Sequence, residues 1–189
     1  TVTGYPEILD GRVKTLHPKI HGGILLKRND PNQMQEALLH GLEPIDLVVV
    51  NLYPFEQAVA RTRSPYSRAA VENIDIGGVT LIRAAAKNFE DVAVVVSPSD
   101  YSWVLEEMNR HGGNLQMESR RRLASIAIQH TASYDTAIAK AWNHESQSLD
   151  SPELAQFPPT VNLRLKRVQL LRYGENPHQK AALYTSAST

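Results

Sequence analysis

The chain has 189 residues, of which 42% are apolar, so it can hold one full domain or one domain and part of a second. Its 20 basic and 20 acidic side chains balance, which excludes an overall field favouring nucleic acid or a membrane surface; anion recognition must be local. The absence of cysteine excludes a disulfide scaffold and a cysteine nucleophile, and no apolar run approaches membrane-spanning length.

The first informative element is a polar segment, residues 10–21, which is followed by Gly22 and Gly23. Its pattern suits neither an amphipathic helix nor an alternating strand, so we predict a shaped loop. Cations and hydroxyls on a glycine-bounded loop are what a site for a phosphorylated small molecule requires, although a solvated basic loop is the alternative. The side chains concerned are Arg12, Lys14, Thr15, His17, Lys19 and His21.

Strand-like and helix-like segments then alternate along the chain. Continuous apolar runs at 46–54 and 91–98 predict buried parallel strands that are apolar on both faces. Helices are predicted at 31–40, 67–73 and 79–87, then from a Ser99 cap to about Arg110, and finally from Ser119 to about Trp142. This order predicts an α/β fold, an open parallel sheet with helices on both faces.

The composition changes after residue 143. Residues 144–160 are rich in serine and proline and are predicted to be a linker. Residues 161–189 open with a strand-like alternation over Val161–Leu165, continue into a polar, turn-rich stretch and are predicted to begin another domain. Because the sequence opens at Thr1 in a turn-like context, we expect it to be a piece of a longer protein.

Candidate ligand-binding residues follow the predicted strands, because ligands of open parallel sheets gather at the carboxyl ends. Asn51 and Tyr53 lie at one such end, and the turn Asp75–Gly78 opens a helix whose free N–H groups could hold an oxyanion. Asp75 and Lys87 could instead only stabilise the helix dipole. A straight helix would separate them by roughly 18 Å, so geometry alone does not bring them to one ligand.

Three other patterns that could carry chemistry do not predict a site. His17 and His21 have metal-ligand spacing only on a helix, which Pro18 disfavours, and no third ligand is near. His130 lies on the apolar stripe of the last helix and is predicted to be a packed histidine. No Gly-x-Ser-x-Gly elbow supports a nucleophilic serine.

Six segments resemble the PurH family of bifunctional purine-biosynthesis enzymes, which join an inosine monophosphate (IMP) cyclohydrolase domain to an AICAR transformylase domain. The resemblance runs from Thr1 to about Tyr184 in the family's order and spacing. The six segments are Thr3–Glu7, Asp10–Pro18, Asn51–Phe55, Glu72–Gly78, Arg83–Asn88 and Leu171–Gln179.

The resemblance implies a methylglyoxal-synthase-like cyclohydrolase domain at 1–143, lacking its first strand and phosphate-binding turn, and the start of a transformylase domain at 161–189. It would cyclise formyl-aminoimidazole carboxamide ribotide to IMP and water. The catalytic positions that carry over are Lys14, Tyr53, Asp75 and Lys87. The substrate-binding positions are Arg12, Thr15, Asn51, Gly77 and Gly78, with Arg172 and Tyr173 resembling transformylase positions.

The resemblance also implies no metal or organic cofactor for cyclisation, with formyl-tetrahydrofolate as co-substrate of the transformylase. It implies a cytoplasmic homodimer that binds a phosphorylated purine-precursor ribotide, without a nucleic acid or membrane partner. The alternatives are a non-catalytic nucleotide- or phosphate-binding regulatory domain of the same fold, methylglyoxal synthase itself, and a segment that mainly dimerises. The combination of Tyr53, Asp75 and Lys87 favours the enzyme.

Overall fold

A computed structural model of the chain describes residues 2–150 and 165–186, which divide into two compact units between Glu145 and Ser146. The elements of residues 2–150 alternate between helices and two short strands. In chain order they are α1 (Pro18–Leu25), α2 (Pro31–His40), β1 (Leu47–Val49), α3 (Phe55–Thr62), α4 (Arg68–Val71), α5 (Gly77–Lys87), β2 (Ala93–Val95), a 3₁₀ turn (Pro98–Asp100), α6 (Tyr101–Arg110) and α7 (Met117–Asp150).

The centre of the first unit is the parallel pair β1–β2, in which Leu47 lies opposite Ala93 and Val49 opposite Val95. Along residues 92–96 the side chains alternate between two apolar clusters. The even-numbered valines face α1 and α5, whereas Ala93 and Val95 face α6, and α7 contributes to both clusters. The described sheet is therefore parallel and covered by helices on both faces, which confirms the α/β class.

The prediction for β1 was wrong in one respect, because this strand is not buried on both faces. Val48 is buried, but Val49 remains 50% exposed. The apolar cluster under α6 includes Leu47 and does not extend to Val49, so this end of the face is left uncovered.

The prediction that Pro18 disfavours a helix was also wrong, since α1 begins at Pro18. Proline is tolerated at the first helical position because its missing N–H would have no acceptor there. His17 caps the helix, with Nδ1 accepting from the Lys19 N–H at 3.1 Å. The preceding residues form the predicted loop, in which Leu9, Asp10 and Gly11 all have positive φ.

Two further helix boundaries differ from the predictions. Ser97 caps the 3₁₀ turn before α6, in place of Ser99, because its hydroxyl accepts from the Ser99 N–H. Helix α7 continues past Trp142 to Asp150, since residues 143–150 contain neither glycine nor proline to end it. The sequence patterns also missed α3 entirely.

The described part of the second unit includes an antiparallel pair, β3 (Leu165–Leu171) and β4 (Ala181–Ser186). The polar stretch between them turns the chain, with the Gly174 N–H donating to the Gln179 carbonyl at 2.9 Å. The remaining predicted linker, 151–160, and most of the predicted strand at 161–165 lie outside the described residues. Within the described ranges, no helix is both long and apolar enough to cross a membrane.

Gly23 allows α1 to approach the chain that leads into β1. A Cβ at this position would lie 2.3 Å from the Glu43 carbonyl oxygen, and the Gly23 carbonyl accepts from the Ile45 N–H at 3.0 Å. Backbone cannot move aside as a side chain can, so we expect Gly23→Ala to lower the free energy of unfolding by about 2 kcal/mol.

The matched control is Gly22→Ala, whose Cβ would meet the flexible end of Leu42 at 2.8 Å. Side-chain movement and the better helix propensity of alanine should keep its effect within about 1 kcal/mol. Urea unfolding of both variants measures the difference, and equal losses would contradict the backbone clash.

A second stability prediction concerns Glu107, a residue of α6 whose side chain contacts the start of α7. Its carboxylate accepts from the Ser119 hydroxyl at 2.6 Å and from the Gln116 N–H at 2.8 Å. The Ser119 hydrogen bond, followed by that from Gln116, lowers the pKa of Glu107. A lowered folded-state pKa gives stability that is present above the unfolded pKa, about 4.3, and lost as pH falls through the folded value.

We therefore expect Glu107→Gln to cost about 0.3–1 kcal/mol above pH 5, a cost that disappears towards pH 3. Urea unfolding between pH 7 and pH 3 measures this dependence. Glu106→Gln is the control, because Glu106 pairs with the exposed Arg110 on the same helix. A cost for Glu107→Gln that persists undiminished at pH 3 would show that the charge is not its source.

Candidate functional site

A cleft of about 400 Å³ opens at the carboxyl ends of β1 and β2. Three parts of the chain line it, namely Asn51–Gln57 after β1, Val96–Pro98 after β2, and one side of α7. The α7 residues are His130, Tyr134 and Ala137. Its position is the one expected for a ligand site on an open parallel sheet, and its volume suits a small molecule.

Asn51 and Tyr53 reach this cleft because β1 ends immediately before them. The Asn51 side-chain amide donates to the hydroxyl of Tyr101 at 3.0 Å, which ties the end of β1 to the start of α6. The Tyr53 side chain is exposed, and its backbone N–H points to Asp75 Oδ2 at 3.4 Å. One candidate residue from the end of β1, Tyr53, thus adjoins the candidate carboxylate.

Asp75 lies just before α5 and is held by the first turn of that helix. Its Oδ1 accepts from the Gly78 N–H at 2.6 Å, so the carboxylate satisfies one of the donors that a helix start leaves free. A Cβ on residue 78 would lie 2.7 Å from Asp75 Oδ2, which explains the glycine there. The Asp75 carboxylate, for which stabilising the helix dipole was the alternative role, is therefore also fixed beside Tyr53.

The loop that contains Arg12 packs beside the same turn. Arg12 forms an ion pair of 2.6 Å with Glu72, and a Cβ on Gly77 would lie 3.0 Å from Thr15 Oγ1. The Arg12 hydrogen bond and charge lower the pKa of Glu72. The structure therefore brings the loop and the turn together, which their separation in sequence did not reveal.

Lys14 lies on the same loop and pairs with Glu7 at 3.0 Å. Both side chains are exposed, so the pair contributes little to stability and can give way to an anionic ligand.

One predicted site residue of the first unit, Lys87, does not join this group in the described structure. Lys87 is exposed at the far end of α5, about 15 Å of helix rise from Gly77. Arg172 and Tyr173 are exposed residues of the second unit, immediately after β3.

Tyr134 of α7 is a site residue that the sequence analysis did not identify. Its hydroxyl donates to the Asn73 carbonyl at 2.8 Å and accepts from the Asp75 N–H at 2.9 Å. Burial, with a smaller contribution from the Asp75 charge, raises the pKa of Tyr134. The only sequence signal that could have suggested this contact is a tyrosine, whose hydroxyl seeks a partner when buried, on the apolar stripe of the helix.

His17 uses Nδ1 to cap α1, and within residues 2–150 and 165–186 no three histidine or carboxylate side chains form a group that could hold an ion.

Two comparisons with known proteins complete the description. A family model described as the AICARFT/IMPCHase bienzyme matches residues 85–189, which is more than half of the chain. A solved structure titled "Crystal structure of ForH" is 34% identical in sequence, with a TM-score of 0.67. The match covers 75% of this chain and 72% of that one.

Proposed function

Because the chain belongs to the AICARFT/IMPCHase bienzyme family, an enzyme family of purine biosynthesis, we propose that its first unit is an IMP cyclohydrolase of the PurH type. The proposed substrate is formyl-aminoimidazole carboxamide ribotide, and the products are IMP and water. The fold of this unit is proposed to be that of methylglyoxal synthase.

The reaction moves two protons from nitrogen to oxygen and needs a place for negative charge. The carboxamide nitrogen attacks the formyl carbon, a C–N bond forms, and the carbonyl oxygen becomes an oxyanion while the nitrogen loses a proton. The oxyanion is protonated to a hydroxyl. The C–O bond then breaks, the hydroxyl leaves as water after taking up a second proton, and the former formamide nitrogen loses its proton to complete the ring.

The observation that carries the proposal is the contact of the Asp75 carboxylate with the backbone of Tyr53, a residue that lines the cleft. Asp75 Oδ1 is engaged by the Gly78 N–H, and Oδ2 lies next to the Tyr53 backbone, so the carboxylate has a fixed direction. Such a positioned base contributes roughly 10²–10⁴ in rate, and we assign it the carboxamide proton. The Tyr53 hydroxyl is assigned the orientation of the reacting arms.

The loop at 12–15 supplies the positive charge and donors that this chemistry requires. We propose that Lys14, with the backbone near Thr15, stabilises the oxyanion, a contribution of roughly 10²–10³ for one donor. Arg12, Asn51, Gly77 and Gly78 would contact the ligand around them. These cations are held by Glu7 and Glu72 in the free protein, so ligand binding would exchange carboxylates for the anionic substrate.

Lys87 and the second unit enter as separate proposals. The resemblance makes Lys87 a catalytic position, and we assign it the protonation of the departing hydroxyl. This role requires a ligand or subunit arrangement that reaches the end of α5. Arg172 and Tyr173 would bind AICAR in a transformylase that takes its formyl group from formyl-tetrahydrofolate. We propose a cytoplasmic homodimer, with no metal or organic cofactor in the cyclisation.

The test of the cyclohydrolase is ring closure by the full-length protein, followed by the ultraviolet absorbance of IMP. We expect Asp75→Asn to lower turnover by roughly 10² or more, because the amide oxygen can still accept from Gly78 but cannot take a proton. The matched control is Asp91→Asn, whose carboxylate likewise accepts a backbone N–H, from Arg28, away from the cleft.

Lys87→Ala is measured in the same assay, with a loss of roughly 10² expected from its assigned role. Wild-type turnover in Asp75→Asn would sink the mechanism. Ligand binding without turnover by the unaltered full-length protein would indicate the regulatory domain instead.

A second prediction concerns the glycine against which Asp75 lies. Gly78→Ala puts a methyl group into the space of the carboxylate, which must rotate away from the Gly78 N–H and from Tyr53. We expect turnover to fall by about 10², because catalysis is sensitive to displacement of about 1 Å. Thermal unfolding should change little, since a carboxylate end can move. A variant that keeps full turnover would contradict the fixed direction of Asp75.

A further inference from the structure

We infer that Tyr134 is a positioning residue for the proposed reaction, acting through the turn that carries Asp75; this inference rests on the proposed function. Tyr134 lies on α7, 59 residues along the chain from Asp75, so their contact is a product of the tertiary fold. The tyrosine does not need to touch the reacting atoms for this role.

The argument begins with the two hydrogen bonds of the Tyr134 hydroxyl. It accepts from the Asp75 N–H at 2.9 Å and donates to the Asn73 carbonyl at 2.8 Å. The N–H groups of Asn73 and Ile74 are held by carbonyls of α4. One hydroxyl therefore fixes the backbone on both sides of Ile74, between the end of α4 and the start of α5.

These contacts complement the hydrogen bond that the Asp75 carboxylate accepts from the first turn of α5. The Gly78 N–H fixes the carboxylate relative to α5, whereas Tyr134 fixes the backbone from which that side chain extends. Without the hydroxyl, the Asp75 N–H and the Asn73 carbonyl would need water as a partner, and the turn could shift relative to the cleft.

Burial supports this role. Tyr134 is partly buried, and burial together with the Asp75 charge raises its pKa. Even a phenol with the ordinary pKa of about 10 is protonated at neutral pH. A protonated hydroxyl can donate to Asn73 and accept from Asp75 at once. Tyr134 and Tyr53 both line the cleft, and the Tyr53 backbone contacts Asp75. A shift of the turn would therefore change the cleft where the ligand would lie.

The test is Tyr134→Phe in the full-length protein, which removes the hydroxyl and keeps the ring. We expect kcat for ring closure to fall by about 10-fold to 10²-fold, with KM changed by less than about 3-fold. Tyr66→Phe is the matched control, because the Tyr66 hydroxyl donates to the Trp142 carbonyl at 3.2 Å and does not line the cleft. Its kcat should stay at the wild-type value.

A double-mutant cycle separates positioning from a general structural effect. If Tyr134 acts through Asp75, Tyr134→Phe should lower kcat by less than about 2-fold when added to Asp75→Asn. Full additivity of the two losses would overturn the inference. So would an unchanged kcat in Tyr134→Phe, or a raised KM with kcat intact, while the proposed function would stand in each case.

Hydrogen exchange gives a readout that does not depend on activity. Peptides covering residues 73–78 should exchange faster in Tyr134→Phe than in wild type, and those covering α2 should not change. Equal exchange at 73–78 in the two proteins would overturn the role of the hydroxyl, whether or not the unaltered protein catalyses ring closure. Absence of ring closure in the unaltered protein would instead count against the proposed function, and not against the hold of the hydroxyl on the turn.

Discussion

The parallel pairing of β1 with β2 is the constraint on which the rest of the first unit depends. It aligns two carboxyl ends at one edge, so the segments that leave them, Asn51–Gln57 and Val96–Pro98, become the walls of one cleft. The pair survives with three residues in each strand because the side chains of residues 92–96 are buried on both faces. Helices packed on both faces then bring α7 to the third wall.

The candidate site combines rigid and adaptable parts. The Asp75 carboxylate accepts from the Gly78 N–H at the start of α5, and the Asp75 backbone N–H donates to a tyrosine from another helix. The cations of the preceding loop are exposed and are engaged by carboxylates that a ligand can displace. This division suits a reaction in which the base must keep one direction while the anionic end of the substrate is captured from water.

The sequence predicted the parts of this fold that depend on local patterns. The apolar runs, the capped helix Pro31–His40 and the glycine-bounded loop all follow from the spacing and type of neighbouring residues. The predictions were wrong where one residue type or pattern occurs in two structural contexts. Pro18 breaks a helix in its interior but begins one here, and Val49 belongs to an apolar run although no helix covers it.

The contacts of the candidate site could not be predicted in the same way. Tyr134 and Asp75, or Arg12 and Glu72, are about 60 residues apart, and only packing brings them together. The resemblance supplied residue types for the site, but not the hydrogen bonds that direct them. Whether Lys87, Arg172 and Tyr173 act as the resemblance implies stays a prediction.

The two ion pairs of the loop have a consequence for how a ligand arrives. With Arg12 opposite Glu72 and Lys14 opposite Glu7, the free loop presents nearly compensated charge instead of a positive patch. Long-range attraction of an anion is then weak, so encounter rates should depend little on ionic strength. Discrimination between ligands would instead depend on the bound state, in which a phosphorylated ligand must replace the carboxylates of Glu7 and Glu72 at short range.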